Sequence, residues 1–371
     1  MAIFAGHALY SIILCFYLLP EYFAFPLTEA LTPDNLAIGL RTLWIIPLAL
    51  WNLRRYDPTL SLQGNPSPVA FWAIIAALLY IALFQIDRSG SSEVYRVRVT
   101  PIYEYSYLLI LLAYLFKGKN GPRTAVLIGI CALIVAQDAL YGGRATSVQV
   151  IFVLTLTMFR NRLSPIRLAA LAVAGVIGGS LVGIVRSSGP ASGNLLDVVG
   201  SSILESLMTS STAVYAYYAS LTHVAAAPNI ESGERAASFM GFVQQVIFGG
   251  GESLTKYVSD NYFVNVGGGV FTSNFYFWGG PLAVALAGVC LSGLVRALGA
   301  SKVAAAPALF IAFVASTPRW LLYSPSAALR PLLILFVVSV ILGAFQARPF
   351  RVTPALQERT RSRQVGEGPV G

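Results

Sequence analysis

Charged side chains are scarce in this 371-residue chain. Asp, Glu, Lys and Arg together make up 11% of it, against about 25% in an ordinary soluble domain. That scarcity excludes a soluble globular enzyme and a disordered chain, both of which need far more polar surface. Cysteine is scarce too, with three in all. Cys15, Cys131 and Cys290 each sit inside an apolar run, show neither a pairing pattern nor metal-ligand spacing, and read as small buried hydrophobes. A secreted disulfide scaffold is therefore excluded. Of the two histidines, His7 falls in the first apolar run as a packing residue and His223 stands apart. The chain has no Walker loop, HExxH, CxxC or GxSxG, and no DxD-like acid cluster to hold a divalent cation. No pair of apolar segments carries the interrupted, repeated pattern of an inverted-repeat transporter.

What fills the chain is apolar residues, 56% of it, with a mean hydropathy of +0.70. At about 20 residues per crossing, the apolar stretches amount to roughly ten transmembrane helices. They are predicted at 3–20, 36–53, 68–86, 102–116, 124–141, 145–159, 168–185, 271–295, 303–317 and 331–347. The first lacks a basic leader and a small-residue cleavage site and is read as a retained span. Sorting the connections by side gives one set with 15 basic and three acidic residues and another with ten basic and 13 acidic. These sets carry +12 and −3 within the overall +9. The basic set is cytoplasmic by the positive-inside rule, which places both termini inside and explains the basic balance without nucleic acid.

The expected fold class is all-α: a polytopic transmembrane bundle of about 10–12 spans over residues 1–348, with a large outer loop region at 186–270 and a basic cytoplasmic tail at 349–371. Residues 195–222 are apolar enough to lie on the membrane or dip into it, and a helical hairpin within 195–248 gives the higher span count. Residues 239–248 are too short to span and suit an interfacial helix. Glycine clusters at 249–251 and 267–269 bracket a polar segment, ESLTKYVSDNYFVNV.

The outer side collects arginine at span ends. Arg41 lies about one turn inside the second span. Arg144 follows LYGG in the turn QDALYGGRATS, Arg186 ends the seventh span, and Arg319 and Arg330 flank the last outer connection, STPRWLLYSPSAALRP. Arginine near lipid is expensive unless it is paired or faces water, and its planar fork of donors matches phosphate. The set therefore points to an anionic headgroup site. Snorkelling, with the stem in lipid and the head in water, is the alternative for any single member. Asp138 is placed to pair with Arg144. Candidate general bases on the same side are Glu205, Asp260 and His223, with Asp197, Glu252 and Glu104 as further acids. Burial of Glu205 in an apolar helix would raise its pKa into a useful range. Tyr257, Tyr262, Phe275 and Trp278 are candidates to pack on sugar faces, or else form an interfacial aromatic belt.

Three stretches carry a family resemblance. LYGGRATSVQVIFVLTLTMF resembles the small-Gly-Arg turn and following span of the Wzy-type O-antigen polymerases, the repeat-unit polymerases of bacterial surface polysaccharides. GGGVFTSNFYFWGGPLAVALAGVCLSGLVRAL resembles the aromatic, glycine-rich return to the membrane after that family's large outer loop. The last outer connection, with Arg319 and Arg330, completes the layout over residues 100–345. The resemblance implies a GT-C-like fold with a periplasmic active site, in a multi-pass protein of the bacterial inner membrane. It implies a glycosyltransferase that joins undecaprenyl-pyrophosphate-linked oligosaccharide repeat units, inverting the anomeric centre and using neither metal nor other cofactor. Arg144, Arg186, Arg319, Arg330 and Arg41 would bind the pyrophosphate, and Glu205, Asp260 or His223 would act on the acceptor hydroxyl. The partners implied are lipid-linked donor and acceptor, membrane lipid and a chain-length regulator. An O-antigen ligase acting on lipid A core and a lipid-linked oligosaccharide flippase are the competing functions. The flippase is disfavoured because charge collects at span ends instead of deep within several spans.

Overall fold

The structure, a computed structural model, describes residues 32–43, 62, 64–87, 98–141, 145–159, 212–263, 268–301 and 303–343. These residues are helical almost throughout. The exception is a two-residue antiparallel pairing, β1 (Ile86–Asp87) with β2 (Arg98–Val99). The spans expected at 3–20 and 168–185 lie outside the described residues.

Local signals set the helix starts. α1 (Pro33–Leu43) begins after Thr32, whose hydroxyl accepts from the Asn35 amide at 3.2 Å. α2 (Pro68–Phe84) is capped by Ser67, which accepts from the Ala70 amide, with Pro68 in its first turn. A four-residue helix α3 (Pro101–Glu104) leads through Tyr105 into α4 (Ser106–Phe116). α5 (Gly121–Tyr141) is capped by Asn120 through the Arg123 amide, at 3.0 Å. α6 (Ala145–Leu154) ends in a π-helical turn, Thr155–Phe159. In the second half of the chain follow α7 (Thr212–Ala226), α8 (Ser232–Ile247), α9 (Leu254–Asn261) and α10 (Phe271–Ala300). The last three helices are α11 (Ala306–Ala315), α12 (Thr317–Leu322) and α13 (Ser326–Ile341). α10 breaks at Gly279–Gly280, where Gly280 adopts φ +62°, just ahead of Pro281.

One large core joins α2, α4, α5 and α6 to α10, α11, α12 and α13, with Phe71, Leu78, Ile110, Leu127, Ile311 and Trp320 deep inside it. Aromatic contacts extend it. Trp320 stacks on Phe313 at 5.3 Å and meets Phe271 edge-on, and Phe271 leads through Phe275 to Trp278, Phe242 and Phe239 on α8. Residues 216–224 are buried throughout, so α7 is a core helix packed against α1, α9 and α10, not one lying on a surface. The small side chains Ala216, Ala219 and Ser220 permit that close approach.

Among the described residues two helices are long and apolar enough to cross a membrane: Gly121–Asp138 within α5 and Phe271–Gly299 within α10. Only 33% and 28% of their most apolar windows is buried, whereas the core helix of a soluble protein is buried over most of its length. Leu282, Leu286 and Val289 on α10 and Leu333, Phe336, Val337 and Ile341 on α13 point outward. α2 is apolar on its buried and exposed faces alike, the signature of a helix in apolar surroundings. The other helices at predicted span positions are shorter. At 1.5 Å per residue α4 is about 16 Å long and α11 about 15 Å, against a hydrocarbon core of about 30 Å. The last outer connection differs from expectation. Pro318 opens α12 and Pro325 precedes α13, so 317–322 and 326–330 are helical and Arg319 and Arg330 sit on helices, not in a loop.

The packing predicts a contrast. Trp320→Ala, which empties the junction of α10, α11 and α12, lowers stability by about 3–5 kcal/mol. Phe336→Ala, on the outward face of α13, changes it by no more than about 0.5 kcal/mol. Thermal unfolding of both variants in detergent measures the difference.

Candidate anion site

Arg319 and Arg330 come together around the short helix α3 and Tyr105. Arg319, in the first turns of α12, reaches across to α3 and forms an ion pair between its Nη2 and Glu104 Oε1. The two side chains are 27% and 31% exposed, so the pair stands at the edge of the packed interior. The Arg319 guanidinium also lies 5.8 Å from the Tyr323 ring. Its Nε is buried without a hydrogen-bond partner. Arg330, one turn into α13, places its guanidinium 5.3 Å from the Tyr105 ring, within the range of a cation–π contact. Among the described residues no carboxylate lies within ion-pair distance of Arg330.

The other face of Arg330 rests on the end of α8. Phe248 and Gly249 both donate their amides to the Gln244 carbonyl, closing the helix, and Gly249 takes φ +78°. A Cβ on Gly249 would stand 2.0 Å from Arg330 Nη2. The glycine is thus required twice, by the left-handed backbone and by the guanidinium that occupies the space of a side chain. The cation sits beside the negative end of the α8 dipole, which supplies part of its counter-charge.

Asp138 belongs to the same neighbourhood, since both Arg319 and Glu104 act on it electrostatically. It is buried, and its Oδ2 accepts from the Ser147 amide at 2.7 Å. It therefore caps the first turn of α6 from the last turn of α5. The predicted partner, Arg144, lies outside the described residues, as do Arg186 and Glu205. Arg41 is described and exposed, in the last turn of α1. α1 packs on α7 and α10, away from the helices that carry Arg319 and Arg330.

The two described base candidates occupy other places. Asp260 is exposed on α9, where Lys256 bridges it to Glu252 one turn away on the other side. These hydrogen bonds, the one to Asp260 foremost, hold the Lys256 ammonium above its usual pKa. His223 is completely buried on α7, a helix outside the ten predicted spans. Its Nδ1 is 3.3 Å from Ser273 Oγ, and its Nε2 has no hydrogen-bond partner. Burial pushes its pKa down from 6.5 to about 3, which keeps the ring neutral. Gly269 lies against its ring and Gly268 against Tyr323, whose own ring is near the Arg319 guanidinium. A Cβ on Gly269 would stand 2.3 Å from the His223 ring, and one on Gly268 2.2 Å from Tyr323 Cα. Gly268 and Gly269 thus serve a close approach, not a free hinge. The aromatic candidates pack on one another. Trp278 donates to Ser238 Oγ and lies among Phe239, Phe242 and Phe275, and Tyr257 lies 6.2 Å from Tyr262.

From the sequence, Glu104 stood only as one acid among several on the outer side, Gly249 only as part of a glycine cluster, and Tyr105 not at all. The signal for Glu104 and Tyr105 was the YEY triplet at the mouth of an apolar span. Among the described residues no cluster of three or more His, Cys, Asp or Glu is placed to hold a metal ion. Comparison of the chain with protein-family models, with curated proteins and with solved structures finds no match in any of the three.

Two outcomes follow from this geometry. Gly249→Ala loses about 1–2 kcal/mol from the left-handed backbone alone and more from the clash with Arg330. In a double-mutant cycle the clash component disappears in the Arg330→Ala background, so the two changes are less than additive. For His223 the unfolded chain takes up a proton near pH 6.5 while the folded chain resists until about 3. Its contribution to stability is complete above 6.5 and declines as pH falls through that window. Detergent melts from pH 7 to pH 4 should show a steeper acid loss for the wild type than for His223→Gln, by about one bound proton.

Proposed function

We propose that this chain is a membrane glycosyltransferase that polymerises oligosaccharide repeat units carried on undecaprenyl pyrophosphate, at the periplasmic face of the bacterial inner membrane. The observation that carries the reading is the convergence of Arg319 and Arg330 on Glu104 and Tyr105. Two guanidinium groups from different helices meet there at the edge of an apolar assembly. Isolated snorkelling would leave each at its own helix end.

In the proposed reaction an acceptor hydroxyl attacks the anomeric carbon of the donor glycan. The bond from that carbon to the diphosphate oxygen breaks, and its electron pair leaves with undecaprenyl pyrophosphate. Negative charge grows on the diphosphate as the bond breaks. Fixed guanidinium forks in low-polarity surroundings stabilise it without reorganisation. Arg319 and Arg330 take that role, with Arg144 and Arg186 proposed to join them. The acceptor proton passes to a base, for which Glu205 and Asp260 are the proposed residues. Asp260 is exposed to solvent, whereas His223 is closed off by Gly269 and Ser273. The exposed apolar faces of α10 and α13 support a multi-pass bundle that presents the site to a lipid-borne substrate.

A deletion strain tests the reading by gel electrophoresis of its surface polysaccharide. Loss of a polymerase leaves core bearing a single repeat unit. Loss of a ligase or flippase leaves bare core, and a ladder of normal length removes the proposal. Complementation with Arg319→Ala or Arg330→Ala should fail to restore the ladder at normal protein abundance. Arg330→Lys should restore little of it, because an ammonium lacks the planar fork.

A further inference from the structure

We infer that Glu104 is a placeholder for the anionic ligand: it neutralises Arg319 while the site is empty and must leave that guanidinium when a diphosphate binds. The inference rests on the anion site proposed above. Charge bookkeeping points to it. The cluster holds two guanidinium groups, Arg319 and Arg330, and two carboxylates, Glu104 and Asp138. Among the described residues the charges are balanced, so a diphosphate is better accommodated if one carboxylate leaves the fork.

The two carboxylates differ in freedom. Asp138 is buried and bound to the amide that opens α6, so removing it would uncap a helix. Glu104 is 31% exposed, ends the four-residue helix α3, and has Arg319 as its one ion-pair partner among the described residues. Arg319 in turn keeps a buried Nε with no hydrogen-bond partner, so its donors are not exhausted by Glu104. A diphosphate arriving at this fork meets the Glu104 carboxylate at the same donors, and like charges at such distances repel strongly in low-polarity surroundings. Exchange of one carboxylate for the ligand relieves that repulsion.

The position also argues against Glu104 as the proton acceptor. An inverting displacement brings the acceptor hydroxyl in from the side opposite the leaving group. A carboxylate in contact with the leaving group's arginine is on the wrong side. A role in holding Arg319 in place makes the opposite prediction from a placeholder, because removing the charge would then weaken anion binding.

The experiment is calorimetric titration of the purified full chain in detergent with inorganic pyrophosphate. Wild type, Glu104→Gln, Glu104→Asp and Arg319→Ala are compared, each checked for a wild-type elution volume. Glu104→Gln should bind about tenfold more tightly than wild type at low ionic strength. The gain should shrink in high salt and vanish in the Glu104→Gln/Arg319→Ala double variant. Glu104→Asp, which keeps the charge, should stay within about threefold of wild type. If Glu104→Gln binds pyrophosphate equally or more weakly while wild type binds, the placeholder role is overturned and the anion site stands. If neither binds at any salt concentration, the anion site itself falls and the inference falls with it.

Discussion

A guanidinium group set among apolar helices must find its counter-charge within the protein, and that requirement organises the centre of this structure. Arg319 finds a carboxylate on α3, and Arg330 finds an aromatic face and the closing turn of α8. Each solution fixes a contact between elements distant in sequence: α12 against α3, and α13 against both Tyr105 and the end of α8. Trp320, next to Arg319 on α12, then anchors the same short helix into the aromatic run through Phe271 and Phe313. The polar cluster and the apolar core are two faces of one helix–helix junction. Neither is an insertion into a scaffold that would exist without it.

Glycine sets how closely these parts approach. At Gly249 the missing side chain is replaced by the Arg330 guanidinium, and at Gly268 and Gly269 the chain threads between Tyr323 and the His223 ring. A Cβ would meet backbone at Gly268 and the His223 ring at Gly269, whereas at Gly249 it would displace the end of the Arg330 side chain. The two glycine clusters that bracket the polar segment 252–266 therefore do more than punctuate a loop. Gly249 meets the arginine side and Gly269 the histidine side of the same assembly.

Much of this order was readable from the residues. The apolar runs located α2, α4, α5, α6, α10 and α11 to within a few residues, because continuous hydrophobicity bounded by Ser67, Asn120 or a glycine leaves a helix few other places to start. α13 was placed five residues late, at Pro331, which falls in the second turn of the helix and not at its start. The grouping of Arg319 with Arg330 followed from their flanking one short connection. Their meeting point did not. Glu104 and Tyr105 lie more than 200 positions earlier, and Gly249 is 81 positions before Arg330. No periodicity or charge count encodes which helix faces which. The same limit explains His223. A lone histidine near a helix end reads more often as a packed ring than as a base facing solvent, and the arrival of Gly269 against the buried ring agrees with the former.

The two arginines differ in the permanence of what neutralises them. The end of a helix carries a partial charge of about half a unit and cannot move away without unwinding, so Arg330 keeps an unspent fraction of its positive charge in every state of the site. A glutamate carries a full charge on a rotatable side chain, so Arg319 is neutralised when the site is empty and more available once Glu104 turns aside. A cluster built this way shows little net field to its apolar surroundings at rest, which limits the cost of holding charge there. It develops a strong one only against a ligand that brings its own negative charge. A site with both arginines permanently uncompensated would bear that cost at all times, and one with both tied to fixed carboxylates would have nothing to offer an anion. Pairing one cation with a helix end and the other with a mobile carboxylate avoids both failures.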